Sequence, residues 1–296
     1  MISVVIPAYC EEASVGAVVD ELRRTLAHLQ DVEILVVDDG STDATRAEAE
    51  KAGARVLSHP VNIGYGNALK TGIRAARHPV IAITDADGTY PLREIPRLLA
   101  ELDKGFDMVV GARQGAHYRE STLKQPARVA FNWLARFVAG EPIPDVNSGL
   151  RVFRRDRVLP FLDDLSGAFS FTTSLTLLCF LQNYFVRHVP IEYYERAGRS
   201  KVRLGRDTLR AAQILVQTIL VYNPVKLFLL GAMLFAAVGV AGVGIYALVW
   251  PRWELFALSA ASLVLAPVAL MFGFVAYASN TRLRHVRNLR DPGPRD

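Results

Sequence analysis

The sequence predicts an α/β domain, built on a mostly parallel sheet flanked by helices, followed by a C-terminal pair of apolar helices. Three observations lead there. Short apolar runs of strand length alternate with segments of helical periodicity through most of the chain. Polar clusters fall at the ends of those runs. The apolar excess behind the mean hydropathy of +0.21 gathers near the C-terminus.

Taken in order, Ile2 to Pro7, Val32 to Val37, Ala54 to Ser58, Val80 to Thr84 and Met108 to Gly111 read as strands. Glu12 to Leu29, Asp43 to Lys51, Tyr65 to Arg77 and Leu92 to Leu102 place apolar residues at helical spacing between them. A final strand is expected over Phe185 to Tyr194. The run Ile2 to Pro7 is too short and too soon followed by Glu11 and Glu12 to be a cleavable signal, so it is read as the first strand. No internal repeat or low-complexity linker interrupts this alternation.

Leu227 to Trp250 is a run of 24 residues without a charge, and Leu255 to Thr281 is another of 27. Each is long enough to cross about 30 Å of hydrocarbon at about 1.5 Å rise per residue. A buried hairpin of a soluble protein would keep a polar face; these runs are apolar all round. Pro251, Arg252, Trp253 and Glu254 alone separate them, so the two spans form a tight hairpin with both ends on one side. Arg203, Arg206, Arg210 and Lys226 precede it, and Arg282, Arg284, Arg287 and Arg290 follow, which places that side in the cytoplasm by the positive-inside rule. Trp250 and Trp253 suit the opposite interface, and Pro267 is expected to kink the second span. The resulting organisation is a cytoplasmic domain over 1–202, an interfacial amphipathic helix region over 203–226, transmembrane helices over 227–281 and a basic tail over 282–296. This is an integral membrane protein, of the inner membrane in a prokaryote, and self-association through the apolar helices is a further expectation.

The net charge of +5 and pI near 9.3 could suggest a nucleic-acid partner, but the basic residues concentrate beside the apolar runs, where anionic lipid and phosphate explain them. No nucleic-acid partner is expected. Two cysteines, Cys10 and Cys179, are too few for a disulfide framework and lack metal-binding spacing, which suits a reducing compartment.

Ligands of such sheets bind beyond the carboxyl ends of the strands, and four polar clusters converge there: Pro7 to Glu12, Asp38 to Asp43, Asp85 to Thr89 and Gly111 to Arg113. In Asp38-Asp39-Gly40-Ser41-Thr42-Asp43, Ser41 or Thr42 is available to cap the next helix. In Asp85-Ala86-Asp87 alternate residues of an extended segment point the same way, presenting two carboxylates to one hard cation. A nucleotide diphosphate needs such a cation, Mg²⁺ or Mn²⁺, to offset charge on the leaving group.

These residues carry a resemblance. Pro7-Ala8-Tyr9-Cys10-Glu11-Glu12, the Asp38 to Asp43 run and Asp85-Ala86-Asp87-Gly88 resemble the motifs of family 2 glycosyltransferases with the Rossmann-like GT-A fold. Asn147-Ser148-Gly149-Leu150-Arg151-Val152-Phe153, Phe169-Ser170-Phe171-Thr172-Thr173 and Arg196-Ala197-Gly198-Arg199-Ser200-Lys201 are similar to those of the dolichyl-phosphate mannose synthase and polyprenyl-phosphate glycosyltransferase branch. The resemblance implies inverting transfer of a sugar from a UDP- or GDP-sugar to a polyprenyl or dolichyl phosphate at a membrane. It implies a nucleotide site of Pro7, Ala8, Tyr9, Glu11, Val37, Asp39, Asp85 and Ala86. Asp85 and Asp87 hold Mg²⁺ or Mn²⁺ and, with Arg113 and Arg151, form the catalytic set. Arg128, Arg196, Ser200 and Lys201 hold the acceptor phosphate.

The chain departs from the family pattern at Cys10, where Asn is common, and at Gly88-Thr89, where some relatives supply a further polar metal ligand. Phe171 to Leu178 also lacks the carboxylate that many relatives use as general base. A phosphate monoester is already anionic and needs no such base, whereas a sugar hydroxyl does. One alternative is a processive polysaccharide synthase, but the Gln-x-x-Arg-Trp motif of that branch is absent, the only Arg-Trp being Arg252-Trp253. The other is a catalytically silent membrane scaffold, against which the retained Asp39, Asp85 and Asp87 argue.

Overall fold

The structure is a computed structural model that describes residues 1–114, 136, 137, 140–194, 213, 216, 217, 219, 220, 223–248 and 252–290, with 282–290 described by backbone alone. The chain divides into two compact units, Met1–Ile214 and Leu215–Asp296.

The first unit is a seven-stranded sheet of order β3-β2-β1-β4-β6-β5-β7. Its strands are β1 Ile2–Ala8, β2 Val32–Asp38, β3 Arg55–Ser58, β4 Val80–Ile83, β5 Met108–Gln114, β6 Arg151–Arg154 and β7 Val186–Glu192. β1 pairs in parallel with β2 and β4, β2 with β3, and β5 with β7. Only β6 runs antiparallel, wedged between β4 and β5 with Val152 opposite Ala82 and Val109. The sequence reading contained no strand at β6, because Arg151-Val152-Phe153-Arg154 is too short and too charged to stand out.

Every residue of β1 is buried, as a central parallel strand covered on both faces requires. On one face Val4, Ile6 and Ala8 pack with α1 Val15–Thr25, α2 Thr45–Lys51 and α4 Ile95–Leu102, through Val15, Val18, Val19, Leu22, Ala49, Ile95, Leu98 and Leu102. On the other, α3 Tyr65–Ala75 comes close at Gly72, where an added Cβ would lie 2.3 Å from Val5 and 3.1 Å from Val37. The helices begin and end inside their predicted bounds. The first residues of Glu12 to Leu29 form a turn, in which Ser14 and Val15 N–H donate to the Glu11 carbonyl, before α1 starts. α2 begins after Ala44, where Thr45 N–H donates to Asp43 Oδ1, so Asp43 rather than Ser41 or Thr42 serves its start. Ser41 Oγ instead accepts from Cys10 N–H at 2.9 Å. A short helical turn, α5 Arg155–Val158, and α6 Phe171–Leu181 complete the unit.

In the second unit α7 Pro224–Leu248 and α8 Trp253–Arg290 pack as an antiparallel hairpin. Gly239 and Gly242 of α7 meet Ser259 and Leu263 of α8, while Gly273 of α8 meets Val225 and Phe228 near the start of α7. Small residues allow such close approach in apolar helices. The Ser259 and Ser262 hydroxyls donate to the carbonyls four residues earlier, so neither is left unsatisfied. Helix α8 runs unbroken through Pro267. Two stretches, Pro224–Leu248 and Trp253–Thr281, are long and apolar enough to cross a membrane, and few of their residues are buried. Leu234, Leu248, Met271 and Phe272 lie exposed, as side chains facing lipid would. The predicted interfacial helix over 203–226 lies mostly outside the described residues, and its last three residues already belong to α7.

Candidate active site

The strand ends bring Pro7 and Ala8 at the end of β1, Tyr9 and Glu11 after it, Asp39 after β2, Asp85, Ala86 and Asp87 after β4, and Arg113 of β5 around one cavity of about 620 Å³. The convergence expected of a parallel sheet therefore holds for nine of the predicted residues. The same cavity is lined by Asn62, Gly64, Tyr65, Tyr90, Asn147, Gly149, Phe169, Thr172 and Tyr193, none of which was assigned a role from sequence. The quoted motifs held a signal for some: Asn147, Gly149, Phe169 and Thr172 fall inside them. The three tyrosines carried none.

Asp39 is 2% exposed, and its position is over-determined. Oδ1 accepts from His59 Nδ1 at 2.7 Å and from Ile63 N–H at 3.1 Å, while Oδ2 accepts from Gly64 N–H at 2.8 Å. His59 Nε2 lies 2.9 Å from Thr71 Oγ1 on α3. Gly64 adopts φ +107°, a conformation that other residues rarely hold, and this turns its N–H onto Asp39 just before α3 starts. A carboxylate held by this many donors is a rigid acceptor for an N–H of a bound heterocycle.

Asp85 and Asp87 sit on the loop after β4. Tyr65 Oη donates to Asp85 Oδ1 at 2.9 Å. On another side Gly149 is so close that an added Cβ would lie 3.0 Å from both Asp85 oxygens. Gly149 is itself held by its N–H, which donates to Tyr90 Oη at 2.6 Å. Burial raises the Tyr65 and Tyr90 hydroxyls above their ordinary range, and the Asp85 charge adds to this, so both stay protonated. Asp87 Oδ1 accepts from Thr89 N–H and Oγ1 at 3.2 and 2.7 Å, closing a turn in which Gly88 has φ +72°. Thr89 thus orients Asp87.

This donor set suits a hard divalent cation. Mg²⁺ and Mn²⁺ favour oxygen ligands and are often held by one or two carboxylates, with substrate phosphates and water completing the shell. No group of three His, Cys, Asp or Glu forms a closed metal cage among the described residues. The balance of charge points the same way, since Glu11, Asp39, Asp85 and Asp87 line the cavity against Arg113 as the single lining cation among the described residues. Arg113 is moreover matched by Asp145, with Nε to Oδ2 at 2.7 Å and a terminal nitrogen to Oδ1 at 3.0 Å. Burial pushes Asp145 upward, but the Arg113 hydrogen bonds and charge outweigh it and hold the carboxyl below its ordinary value. The guanidinium also lies 5.3 Å from the centre of the Tyr193 ring. A diphosphate entering this cavity needs a cation to offset its charge.

Two predicted residues lie elsewhere. Arg151 is fully buried beneath the site rather than in it: its guanidinium donates to the Ser148 and Thr172 carbonyls and to Thr176 Oγ1, tying the start of β6 to the first turns of α6. With its donors spent on these groups it is not placed to hold a phosphate. Val37 is buried in the sheet against α3 and does not line the cavity. The Arg151 assignment followed a motif and the Val37 assignment its place beside one, and neither reports which way a strand side chain faces. Arg128, Arg196, Ser200 and Lys201 lie outside the described residues.

The family profile described as Glycosyl transferase family 2 matches residues 3–159. A dolichyl-phosphate hexose transferase of Haloferax volcanii is 34% identical over 205 residues, covering 68% of this chain and 86% of the relative. The chain is a family 2 glycosyltransferase. Among further relatives, an undecaprenyl-phosphate 4-deoxy-4-formamido-L-arabinose transferase of Salmonella paratyphi A is 32% identical over 219 residues, covering 69% of the glycosyltransferase and 63% of that relative. Among solved structures, the glucosyl-3-phosphoglycerate synthase of Mycobacterium tuberculosis, crystallised with Mn²⁺, UDP and glucosyl-3-phosphoglycerate, aligns with a TM-score of 0.60 at 24% identity. It covers 74% of the glycosyltransferase and 79% of its own chain, a likeness of GT-A fold.

The family assignment gives the cavity its chemistry. A glycosyltransferase must seat a leaving nucleotide, offset charge on its phosphates and admit an acceptor to the anomeric carbon. Asp39 and the β1 loop line the cavity from the early strands; Asn147, Gly149, Phe169, Thr172 and Tyr193 belong to later elements and line another part of its wall.

Proposed function

We propose that this glycosyltransferase moves a sugar from a nucleoside-diphosphate sugar to the phosphate of a polyprenyl or dolichyl phosphate, with inversion, at the cytoplasmic face of a membrane. The observation that carries the acceptor assignment is the wall of Asn147, Gly149, Phe169, Thr172 and Tyr193, which among the described residues adds no carboxylate to Glu11, Asp39, Asp85 and Asp87 at the strand ends. Helix α6, which begins at this wall, contains none either. A hydroxyl acceptor needs a base within hydrogen-bond reach; a phosphate monoester, with its second pKa near ~6, arrives as an anion. The names of the Haloferax and Salmonella relatives, both transferases to polyprenyl-type phosphates, and the two apolar helices support the same reading.

In this mechanism Pro7, Ala8, Tyr9, Glu11 and Asp39 seat the base and ribose. An acceptor phosphate oxygen attacks the anomeric carbon as the bond from that carbon to the diphosphate oxygen breaks, and the electron pair leaves with the nucleoside diphosphate. A Mg²⁺ or Mn²⁺ ion held by Asp85 and Asp87 supplies charge compensation for the departing diphosphate. Arg113, fixed by Asp145, adds a positive group that costs no reorganisation. Arg128, Arg196, Ser200 and Lys201 grip the acceptor phosphate. An α-linked donor then gives a β-linked product.

The test is a radiolabelled screen of UDP-glucose, UDP-galactose, UDP-GlcNAc and GDP-mannose with polyprenyl phosphate, using the purified full-length chain. Product is expected with at least one donor, and is expected to vanish with a chelator, return with Mg²⁺ or Mn²⁺, and be lost in a folded Asp87→Ala variant. Transfer that survives thorough chelation overturns the metal-assisted reading. Transfer to a sugar hydroxyl in preference to polyprenyl phosphate overturns the acceptor assignment.

A further inference from the structure

Tyr65 stands at the junction of the two acidic clusters. It is the first residue of α3, directly after Gly64, whose N–H is held by Asp39 Oδ2. Its hydroxyl reaches the other cluster at Asp85 Oδ1, 2.9 Å away. The ring is stacked on Phe169 at 5.7 Å between centroids and 16° between planes. Asn67 N–H, two residues further on, donates to the Gly167 carbonyl at 3.1 Å and keeps the Phe169 loop against the start of α3. The hydroxyl is therefore held at its base, along its ring and at its tip.

We propose that Tyr65 is a positioning residue for the cation site, its hydroxyl holding Asp85 Oδ1 so that the carboxylate meets the incoming cation in one orientation. The proposal rests on the metal reading of Asp85 and Asp87 and goes beyond it by naming the group that orients the ligand. An aspartate side chain has two rotatable bonds, and a ligand held in place by an outer hydrogen bond loses less freedom when the metal arrives. Partners of this kind typically alter metal affinity or activity by about 10–100-fold when removed. Gly149 borders Asp85 from another direction and, lacking a side chain, leaves the room that the carboxylate occupies.

The experiment is a titration of the full-length purified protein with Mn²⁺ in the presence of UDP and, in parallel, GDP, with free Mn²⁺ followed by electron paramagnetic resonance. Y65F removes one oxygen and keeps the ring on Phe169. Its half-saturating Mn²⁺ concentration is expected to rise about 10–100-fold, with turnover recovering as Mn²⁺ is raised and with nucleotide affinity at saturating Mn²⁺ unchanged. Gly149→Ala displaces the same carboxylate from the other side and is expected to raise the Mn²⁺ requirement in the same direction. It also carries the test if Y65F does not fold. An unchanged Mn²⁺ requirement in Y65F, alongside lost Mn²⁺ binding in Asp87→Asn, overturns the role of Tyr65 and leaves the metal reading standing. An unchanged requirement in Gly149→Ala likewise overturns the claim that Asp85 orientation governs the cation. Weak nucleotide binding by Y65F even at saturating Mn²⁺ assigns the hydroxyl to the nucleotide and overturns the proposal. If the wild-type protein binds no Mn²⁺ with either nucleotide, the metal reading falls and this inference with it.

Discussion

Arg113, near the end of β5, and Arg151, at the start of the antiparallel β6, lie at the same edge of the sheet, and burial separates their work. Arg113 reaches the cavity while Asp145 fixes it; Arg151 has no exposed surface, and its hydrogen bonds go to carbonyls and a hydroxyl. Burying a guanidinium is costly, and the cost of removing it is the set of acceptors and the void left behind. Burial also lowers the proton affinity of this group relative to an exposed arginine. Arg151→Ala is therefore expected to destabilise the fold by about 3 kcal/mol or more, lowering the unfolding temperature by roughly 6–12 °C. Calorimetry on the purified protein checks this. An unchanged unfolding temperature with weakened phosphate binding would return Arg151 to the catalytic set. Cys10 is a further single-residue case. Its φ of +52° lies in the left-handed region, where Asn is better tolerated than most side chains, and the family pattern expected from the sequence has Asn there.

At the scale of elements, the start of α3 and the loop before α6 depend on each other. A Cβ added at Gly66 would lie 2.3 Å from the Ser166 carbonyl oxygen and 2.7 Å from Gly167 carbon, both backbone atoms with little freedom to give way. Gly66→Ala is expected to push the 166–168 segment off α3 and carry Phe169 with it, costing about 1–3 kcal/mol of stability. Activity should fall well beyond what that loss explains. Thermal unfolding and donor KM measured on the same preparation separate the two effects. Strand β7 carries a pH-dependent element. Burial pushes His188 down to about 4, its ring is stacked on Phe180, and its buried Nε2 has no hydrogen-bond partner among the described residues. The folded state thus binds this proton more weakly than the unfolded chain, whose ordinary value is 6.5. On acidification the unfolded state is protonated first, so the stability His188 contributes above pH 6.5 is lost as pH falls toward 4. His188→Leu should flatten the fall of unfolding free energy across that window by about 1–3 kcal/mol relative to wild type. Equal slopes in denaturant titrations at several pH values would exclude this assignment.

For the whole molecule, the two long apolar helices point to membrane association. α7 and α8 expose most of the apolar side chains that do not face each other, and arginines flank the hairpin at both ends of the sequence segment. A reporter fused after Asp296 is expected on the cytoplasmic side; a periplasmic or lumenal reporter would refute the two-span topology. The hairpin, the alternation of strands and helices and the Asp85-Ala86-Asp87 pair were legible in the chain because each is a local pattern, set by period, length or spacing along a few residues. So were the residues around the cavity that follow a strand directly, since a parallel sheet carries its strand ends to one edge. The antiparallel insertion of β6, the depth of Arg151, and the tyrosines at positions 65, 90 and 193 were decided by the tertiary structure alone. A single tyrosine carries no periodicity, and its meeting with a carboxylate twenty residues away depends on how α3, the β4 loop and β6 pack against one another. Local order along the chain specifies which elements form and where their ends lie. Which side chains share a cavity depends on long-range packing, where one strand's direction or one missing Cβ changes the answer.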